Sequence, residues 1–186
     1  LRCQWRSTVA GGASAGNVTA QTASDRNNRG MQLTSRQEFP APPADVYAMV
    51  TDEAFLRHVA AELGSLDARV ATSSDHTAVE ASVEAPPEVR PFVGERLAIV
   101  QEVRWGPVDA DGARSGTFSI TVPGKPVTFE GTVRLEPTAS GSVIDHAGDL
   151  SVRIPLLGAR IEKEAAPAIL EALDVQARVG RAWLTR

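Results

Sequence analysis

The sequence predicts an α+β domain in which a seven-stranded, curved antiparallel sheet is covered by a long C-terminal helix. Seven segments between residues 31 and 154 alternate apolar with polar side chains, the period of a strand that buries one face. Two short helical patterns follow the first segment, and beyond Gly158 the apolar period becomes that of a helix. Consecutive strands joined by short turns are expected to pair antiparallel. The long helix is expected to lie across the concave face of the sheet.

The first unit reads as a strand followed by two short helices. Residues 31–39 alternate as a strand, which ends at a group of prolines that cannot serve a strand ladder. Pro43 suits the first position of a helix, and Asp52 is a favourable N-cap for the next one. Gly64 is a typical stop signal for this second helix.

Six further strands are predicted from alternating apolar residues within 66–70, 79–83, 97–105, 118–122, 127–135 and 144–154. Turn-forming sequences separate the later ones, with DADG at 109–112, PGKP at 123–126 and SGS at 140–142. The proline-rich segment 86–94 cannot form a central strand, so it is expected to be a loop or a single helical turn.

The last element is a predicted helix over about residues 158–184, which would be roughly 40 Å long. Its apolar stripe consists of Ile161, Ala165, Ile169, Ala172, Val175, Val179 and Trp183. Charged residues occupy the other side of this helix and predict a solvent-facing surface.

Residues 1–30 are expected to be a disordered N-terminal extension, because they are rich in small polar residues and show no sustained period. Met31 is the expected natural start of the protein, so that residues 31–186 form the folded domain. The single cysteine, Cys3, lies in the extension and excludes an intramolecular disulfide bond. This agrees with a reducing compartment, and we expect a cytoplasmic location.

Charge and hydropathy restrict the class of partner. Residues 1–30 carry a net charge of +3, which leaves −7 for residues 31–186. A domain with this negative charge repels phosphate backbones and anionic lipid headgroups, so nucleic acid is not an expected partner. The apolar runs are too short to cross a bilayer, so membrane insertion is not expected either.

This order of elements resembles the helix-grip fold of the START-like superfamily, which includes the birch-pollen allergen type and the polyketide cyclases. A narrower resemblance is carried by the segments QEFPAPPADVYAMV (37–50) and LSVRIPLLGARIEKE (150–164). Through them the chain is similar to an actinobacterial family of unknown function. The superfamily implies a hydrophobic cavity between sheet and long helix that takes lipids or polyketide-like molecules. No catalytic motif defines the narrower family, so the resemblance implies no assigned chemistry. No cofactor is expected.

The candidate cavity residues are those expected to face inward. Polar side chains break the apolar parity of a strand at Gln37, Gln101 and His146, where they either orient a ligand or find a partner within the core. The hydroxyl of Tyr47 is a fourth candidate of this kind. Apolar candidates for the lining are Phe118, Phe129, Ile169 and Ala172. Few aromatics and many alanines on the inward parities indicate that the interior is incompletely filled.

No metal site is expected, because the three histidines are scattered and lack ligand spacing. Catalytic residues cannot be assigned: His146 could transfer protons, but its neighbour Asp145 points to the opposite face of the strand. The favoured function is therefore binding of a small apolar molecule. A cyclase- or dehydratase-type enzyme that uses His146 or Tyr47, and a module that binds an unidentified protein partner, are the alternatives.

Overall fold

A computed structural model describes residues 19–20, 30–65, 67–85, 87 and 89–186 of the chain. Its elements are β1 (Thr19–Ala20), β2 (Met31–Phe39), α1 (Pro43–Val50), α2 (Glu53–Glu62), β3 (Arg69–Thr72), β4 (His76–Glu84), α3 (Arg90–Val93), β5 (Arg96–Val108), β6 (Arg114–Thr121), β7 (Val127–Thr138), β8 (Gly141–Val152) and α4 (Gly158–Trp183). All seven predicted strands, both short helices and the long helix are present, so the predicted fold class is confirmed.

The strands form a sheet with the order β1-β2-β8-β7-β6-β5-β4-β3, and every neighbouring pair is antiparallel. Strands β3 to β8 form a meander, and β2 joins it beside β8. The first long strand therefore pairs with the last. A two-residue strand, β1, pairs with Thr34 and Leu33 at this edge. The predicted disorder of the N-terminal extension otherwise concerns residues 1–18 and 21–29, which lie outside the described residues.

Strand β2 shows why the period of two was a reliable signal. Its side chains alternate between exposed and buried positions along its length. The buried positions after Met31 are Leu33, Ser35, Gln37 and Phe39, and they define the inner face of the sheet. Helix α4 packs against this face of β2 and β8 and covers that part of the sheet.

The two short helices begin where local chemistry allows them to. Pro43 is the first residue of α1, where its missing N–H would have no helical partner in any case. The side chain of Asp52 accepts a hydrogen bond from the backbone N–H of Phe55 at 2.8 Å and caps α2. Helix α2 buries Phe55, Leu56, Val59 and Ala60, and it packs against β3 and α4.

Three boundaries differ from the sequence-based expectation or refine it. Strand β3 begins at Arg69, later than expected, and position 66 lies outside the described residues. Strand β5 continues past Trp105 to Val108 through an irregularity in its pairing with β6. The proline-rich segment contains the four-residue helix α3, which agrees with the expected single helical turn.

Candidate functional site

Helix α4 covers the inner face of the sheet over β2 and β8, whereas the inner face over β4 and β5 is partly open. Inward-facing residues of β2 and β8 are buried beneath α4, among them Leu33, Gln37, Ile144 and Leu150. Apart from the buried Thr77 and Trp105, the inward-facing residues of β4 and β5 are only half-buried: Val79, Ala81, Val83, Leu97, Ile99, Gln101 and Val103. Space for a ligand is therefore found beside β4 and β5.

An apolar pocket of about 80 Å³ occupies this open side of the fold. Helix α2 contributes one wall, strands β4 and β5 form the floor, and α4 closes the pocket with one side chain. The lining residues are Leu56, Val59, Ala60, Leu63, Val79, Ala81, Val83, Ile99, Gln101 and Gln176. Eight of the ten are aliphatic and none carries a charge, so the pocket suits an apolar molecule.

Two amide side chains, Gln101 and Gln176, supply the polar groups of the pocket. Neither side chain has a hydrogen-bond partner among the described residues. An amide offers two N–H donors and a carbonyl acceptor without any net charge. The pair can therefore recognise a hydroxyl, carbonyl or amide group, but it offers no counter-charge to a carboxylate or phosphate.

Three residues predicted for the cavity, Phe118, Phe129 and His146, lie together on the inner face of β6, β7 and β8. The rings of Phe118 and Phe129 are 4.9 Å apart and meet edge to face, and both side chains are buried. The ring of His146 is 5.6 Å from that of Phe118. A Cβ added to Gly148 would lie 2.7 Å from Cζ of Phe118, so the phenyl ring fills the space that a side chain at this glycine would take.

Gln37 joins the sheet to the helix above it. Its Nε2 donates a hydrogen bond to the backbone carbonyl of Leu173 in α4 at 2.9 Å. The amide oxygen of Gln37 is buried and has no partner among the described residues. This residue is 2% exposed. The bond to α4 pairs the nitrogen of the buried amide and leaves its oxygen unpaired.

His146 faces inward from β8, directly opposite Ser35 of β2. Its Nδ1 atom is buried without a hydrogen-bond partner in the described part of the chain. Burial lowers the pKa of His146 to about 4, because desolvation disfavours the charged imidazolium. The imidazole is therefore neutral at pH 7, and it can donate a hydrogen bond from one ring nitrogen and accept one at the other.

The alternation of β8 turns Asp145 away from His146, as the sequence indicated. Asp145 forms an ion pair with Arg36 on the outer face, with 2.8 Å between the carboxylate oxygen and Nη1. The other predicted proton-transfer residue, Tyr47, donates its hydroxyl to the carbonyl of Ser74. No hydrogen bond or ring contact joins Tyr47 to His146 among the described residues.

Tyr47 and the two predicted helix residues lie around the rim of the core. The Tyr47 ring packs edge to face on Trp105 at 5.8 Å, and the Arg114 guanidinium lies 3.9 Å from its centre. Ile169 and Ala172 are half-buried on α4, and Ile169 packs against the main core. The structure thus brings Gln37, Phe118, Phe129 and His146 into one region, while Gln101 lines the pocket on the other side.

Two residues of interest were missed by the sequence reasoning. Ser35 shares the inward parity of Gln37, and Gln176 lies next to Val175 of the predicted apolar stripe. Parity alone would have found Ser35, although serine is common enough in strands to attract no attention. The position of Gln176 depends on where α4 crosses the sheet, which no local pattern specifies.

The surface offers weaker candidates. An open groove of about 660 Å³ lies between α3 and α4, but most of its lining is charged, including Glu84, Arg90 and Lys163. Large apolar side chains that are exposed in the described part of the chain are Val108, Leu156 and Leu157. Among the described residues, no group of three or more acidic, histidine or cysteine side chains is placed to hold a metal ion. No described helix is long and apolar enough to cross a membrane.

Solved structures with low sequence identity share this architecture. A STAR-related lipid transfer protein from Xanthomonas axonopodis aligns with a TM-score of 0.63 at 15% identity, covering 95% of this chain and 97% of that one. The human StarD13 lipid transfer and protein localization domain aligns with a TM-score of 0.56 at 13% identity, covering 89% and 88%. At these identities the likeness shows a START-like fold.

Sequence comparison points to a narrower group. An uncharacterised protein of Mycobacterium tuberculosis (strain H37Rv) is 26% identical over 91 residues, which is 48% of this chain. A protein of Mycobacterium bovis matches with the same values, and the chain spans about half the length (52%) of these curated relatives. The model of the DUF2505 family, described as a protein of unknown function, matches residues 34–184. The chain therefore belongs to the DUF2505 family and has a START-like fold.

Proposed function

We propose that the protein binds a small apolar molecule carrying an uncharged polar group, in the pocket between α2, β4, β5 and α4. The observation that carries this proposal is the pocket lining, which combines eight aliphatic side chains with the amides of Gln101 and Gln176. Apolar surface enclosed in this way favours burial of hydrocarbon, and the amides would fix its orientation. The surface groove between α3 and α4 is less suited to hydrocarbon, because it is open to solvent and five of its nine lining residues are charged.

The size of the pocket restricts how a ligand enters. At about 80 Å³ the pocket is smaller than the ~300–1,000 Å³ of most ligand cavities. A long-chain ligand therefore requires one wall to move outward. Helix α2 is the proposed moving wall, because it has ten residues and rests on β3, the strand at the edge of the sheet.

The fold comparisons support the same class of ligand. The Xanthomonas protein and the human domain of the same fold are both described as lipid transfer proteins. A lipid or polyketide-like molecule would meet the apolar requirement of the pocket. A cytoplasmic location is part of the proposal and rests on the sequence alone.

The proposal is tested by filling the pocket from α2. Wild-type protein should bind the neutral apolar dye Nile red saturably, and Ala60→Phe should weaken this binding at least about tenfold, because the ring occupies the space that the dye needs. The matched control is Ala61→Phe, whose side chain lies on the exposed face of the same helix. Its dye affinity should equal that of the wild type.

A second pocket variant keeps the test valid if Ala60→Phe does not fold. Ala81→Leu fills the pocket from β4 and should also weaken dye binding. Thermal unfolding identifies which variants are folded. Dye binding that persists unchanged in folded Ala60→Phe and Ala81→Leu, or a wild-type protein that binds no dye, would refute the proposed function.

A further inference from the structure

Three inward-facing polar side chains, Ser35, Gln37 and His146, lie together where β2 pairs with β8. Ser35 is directly opposite His146 in the antiparallel register, and Gln37 is two residues further along β2 on the same face. Directly paired residues have Cβ atoms about 4.5–5.5 Å apart. The three side chains therefore form one cluster, called here the polar cluster.

Each member of the polar cluster has a buried atom without a hydrogen-bond partner. Ser35 and Gln37 are 3% and 2% exposed. The atoms are Oγ of Ser35, Oε1 of Gln37 and Nδ1 of His146, and they are three of the four such side-chain atoms in the described part of the chain. Most buried polar atoms of folded proteins are paired, so three unpaired ones in one place point to a bound group that pairs with them.

The chemistry of the cluster defines that group. The orientation of the Gln37 amide is fixed, because only its nitrogen can donate to the Leu173 carbonyl. The amide oxygen can then only accept, so the bound group must donate a hydrogen bond. The hydroxyl of Ser35 and the neutral ring of His146 can each donate or accept.

No charge within the cluster favours an ionised group. The charged neighbours, Arg36 and Asp145, pair with one another on the outer face. A carboxylate or phosphate would meet the partial negative charge of Oε1 of Gln37 without a compensating cation. An uncharged hydroxyl can donate to Gln37 and accept from Ser35 or His146 at the same time.

The surroundings of the cluster are apolar. The Phe118 ring lies against His146, and Val133 is opposite His146 on β7. Strands β7 and β6 separate β8 from β5, which carries Gln101. This is three strand spacings, roughly 14 Å, a distance that an extended aliphatic chain can span.

We propose that Ser35, Gln37 and His146 bind the hydroxyl group of an apolar alcohol. This inference rests on the proposed function, since it names the class of ligand: a neutral alcohol whose hydroxyl lies at the polar cluster and whose hydrocarbon extends over Phe118 towards the pocket. Gln101 and Gln176 would then contact a second uncharged polar group at the pocket end of the molecule. The cluster is not expected to bind the carboxylate of a fatty acid or the phosphate of a phospholipid headgroup. A resident water molecule offers the same hydrogen bonds, and the experiment distinguishes it from the alcohol.

The probes are 1-decanol, its methyl ether and decanoate, each used to displace Nile red. The ether has the same chain but donates no hydrogen bond, so wild-type protein should prefer 1-decanol over the ether by about tenfold. Ser35→Ala and Gln37→Leu should remove most of this preference. The control Thr132→Ala removes an exposed hydroxyl on β7 and should retain it.

Ser35→Ala separates a binding role from a structural one. Because its Oγ has no partner, deleting it should leave the thermal stability unchanged or raise it, while the preference for 1-decanol falls. Retention of that preference in folded Ser35→Ala and Gln37→Leu would overturn the proposal and leave the cluster as a water site.

A direct titration makes the result independent of the dye. Addition of 1-decanol should shift the ¹⁵N NMR signal of His146 Nδ1, and addition of the methyl ether should not. If Nile red fails to bind but 1-decanol shifts this signal, the pocket proposal fails and the polar cluster stands. An Nδ1 signal that 1-decanol leaves unchanged would contradict the hydroxyl site even where the dye binds.

Discussion

Lowering the pH from 7 to 4 should destabilise the wild-type protein by about 3 kcal/mol more than it destabilises a His146→Gln variant. Burial lowers the pKa of His146 from 6.5 to about 4 in the folded protein. Between these values the unfolded chain binds a proton that the folded protein does not, so the free energy of unfolding falls as the pH falls. The stabilisation is complete above pH 6.5, is lost progressively towards pH 4, and changes little below it.

Urea unfolding of both proteins at intervals between pH 4 and pH 7.5 measures this difference. Glutamine is neutral throughout this pH range. Subtracting the unfolding free energies of the His146→Gln variant from those of the wild type therefore removes the contributions of the other titrating groups. Parallel curves for the two proteins would show that the imidazole of His146 is accessible to water and would remove it from the buried cluster.

Replacing Phe118 with alanine should cost about 3–5 kcal/mol of unfolding free energy. The ring is 5% exposed, contacts Phe129 and His146, and fills the space above Gly148. Gly148 has no side chain to fill the resulting cavity, and the rings of Phe129 and His146 cannot fill it unless the backbone moves. Phe118→Leu keeps most of the volume and should cost less.

Chemical denaturation of both variants checks this expectation, with Phe92→Ala as a comparison. Phe92 is a half-buried phenylalanine of α3 in a smaller apolar cluster, so its loss should be milder than that of Phe118. A loss below about 1 kcal/mol for Phe118→Ala would mean that the space above Gly148 is not closed by this ring.

The long strands were predictable because they bury one face more than the other. In β2 the polar and apolar positions alternate without interruption, and the observed burial follows the same alternation. The boundaries were less predictable where the backbone leaves this regularity. Gly106 and Pro107 interrupt the alternation of β5, although the strand continues through them to Val108.

The candidate site was only partly predictable. Parity predicted that Gln37, Gln101 and His146 face inward, and their positions in the register agree with this. Parity contains no information on how α4 crosses the sheet. The crossing over β2 and β8 buries Gln37 and leaves Gln101 beside open space, so equivalent residues in the sequence have different surroundings in the fold.

The central claim, that an apolar ligand binds between α2 and strands β4 and β5, is tested most directly by methyl NMR during titration with 1-decanol. Signals of Leu63, Val79, Val83 and Ile99 should shift and saturate together, because these side chains line the pocket. The exposed methyl groups of Val108 and Leu156 should not change. Shifts confined to those exposed residues, or no saturable shift at the pocket residues, would contradict the account.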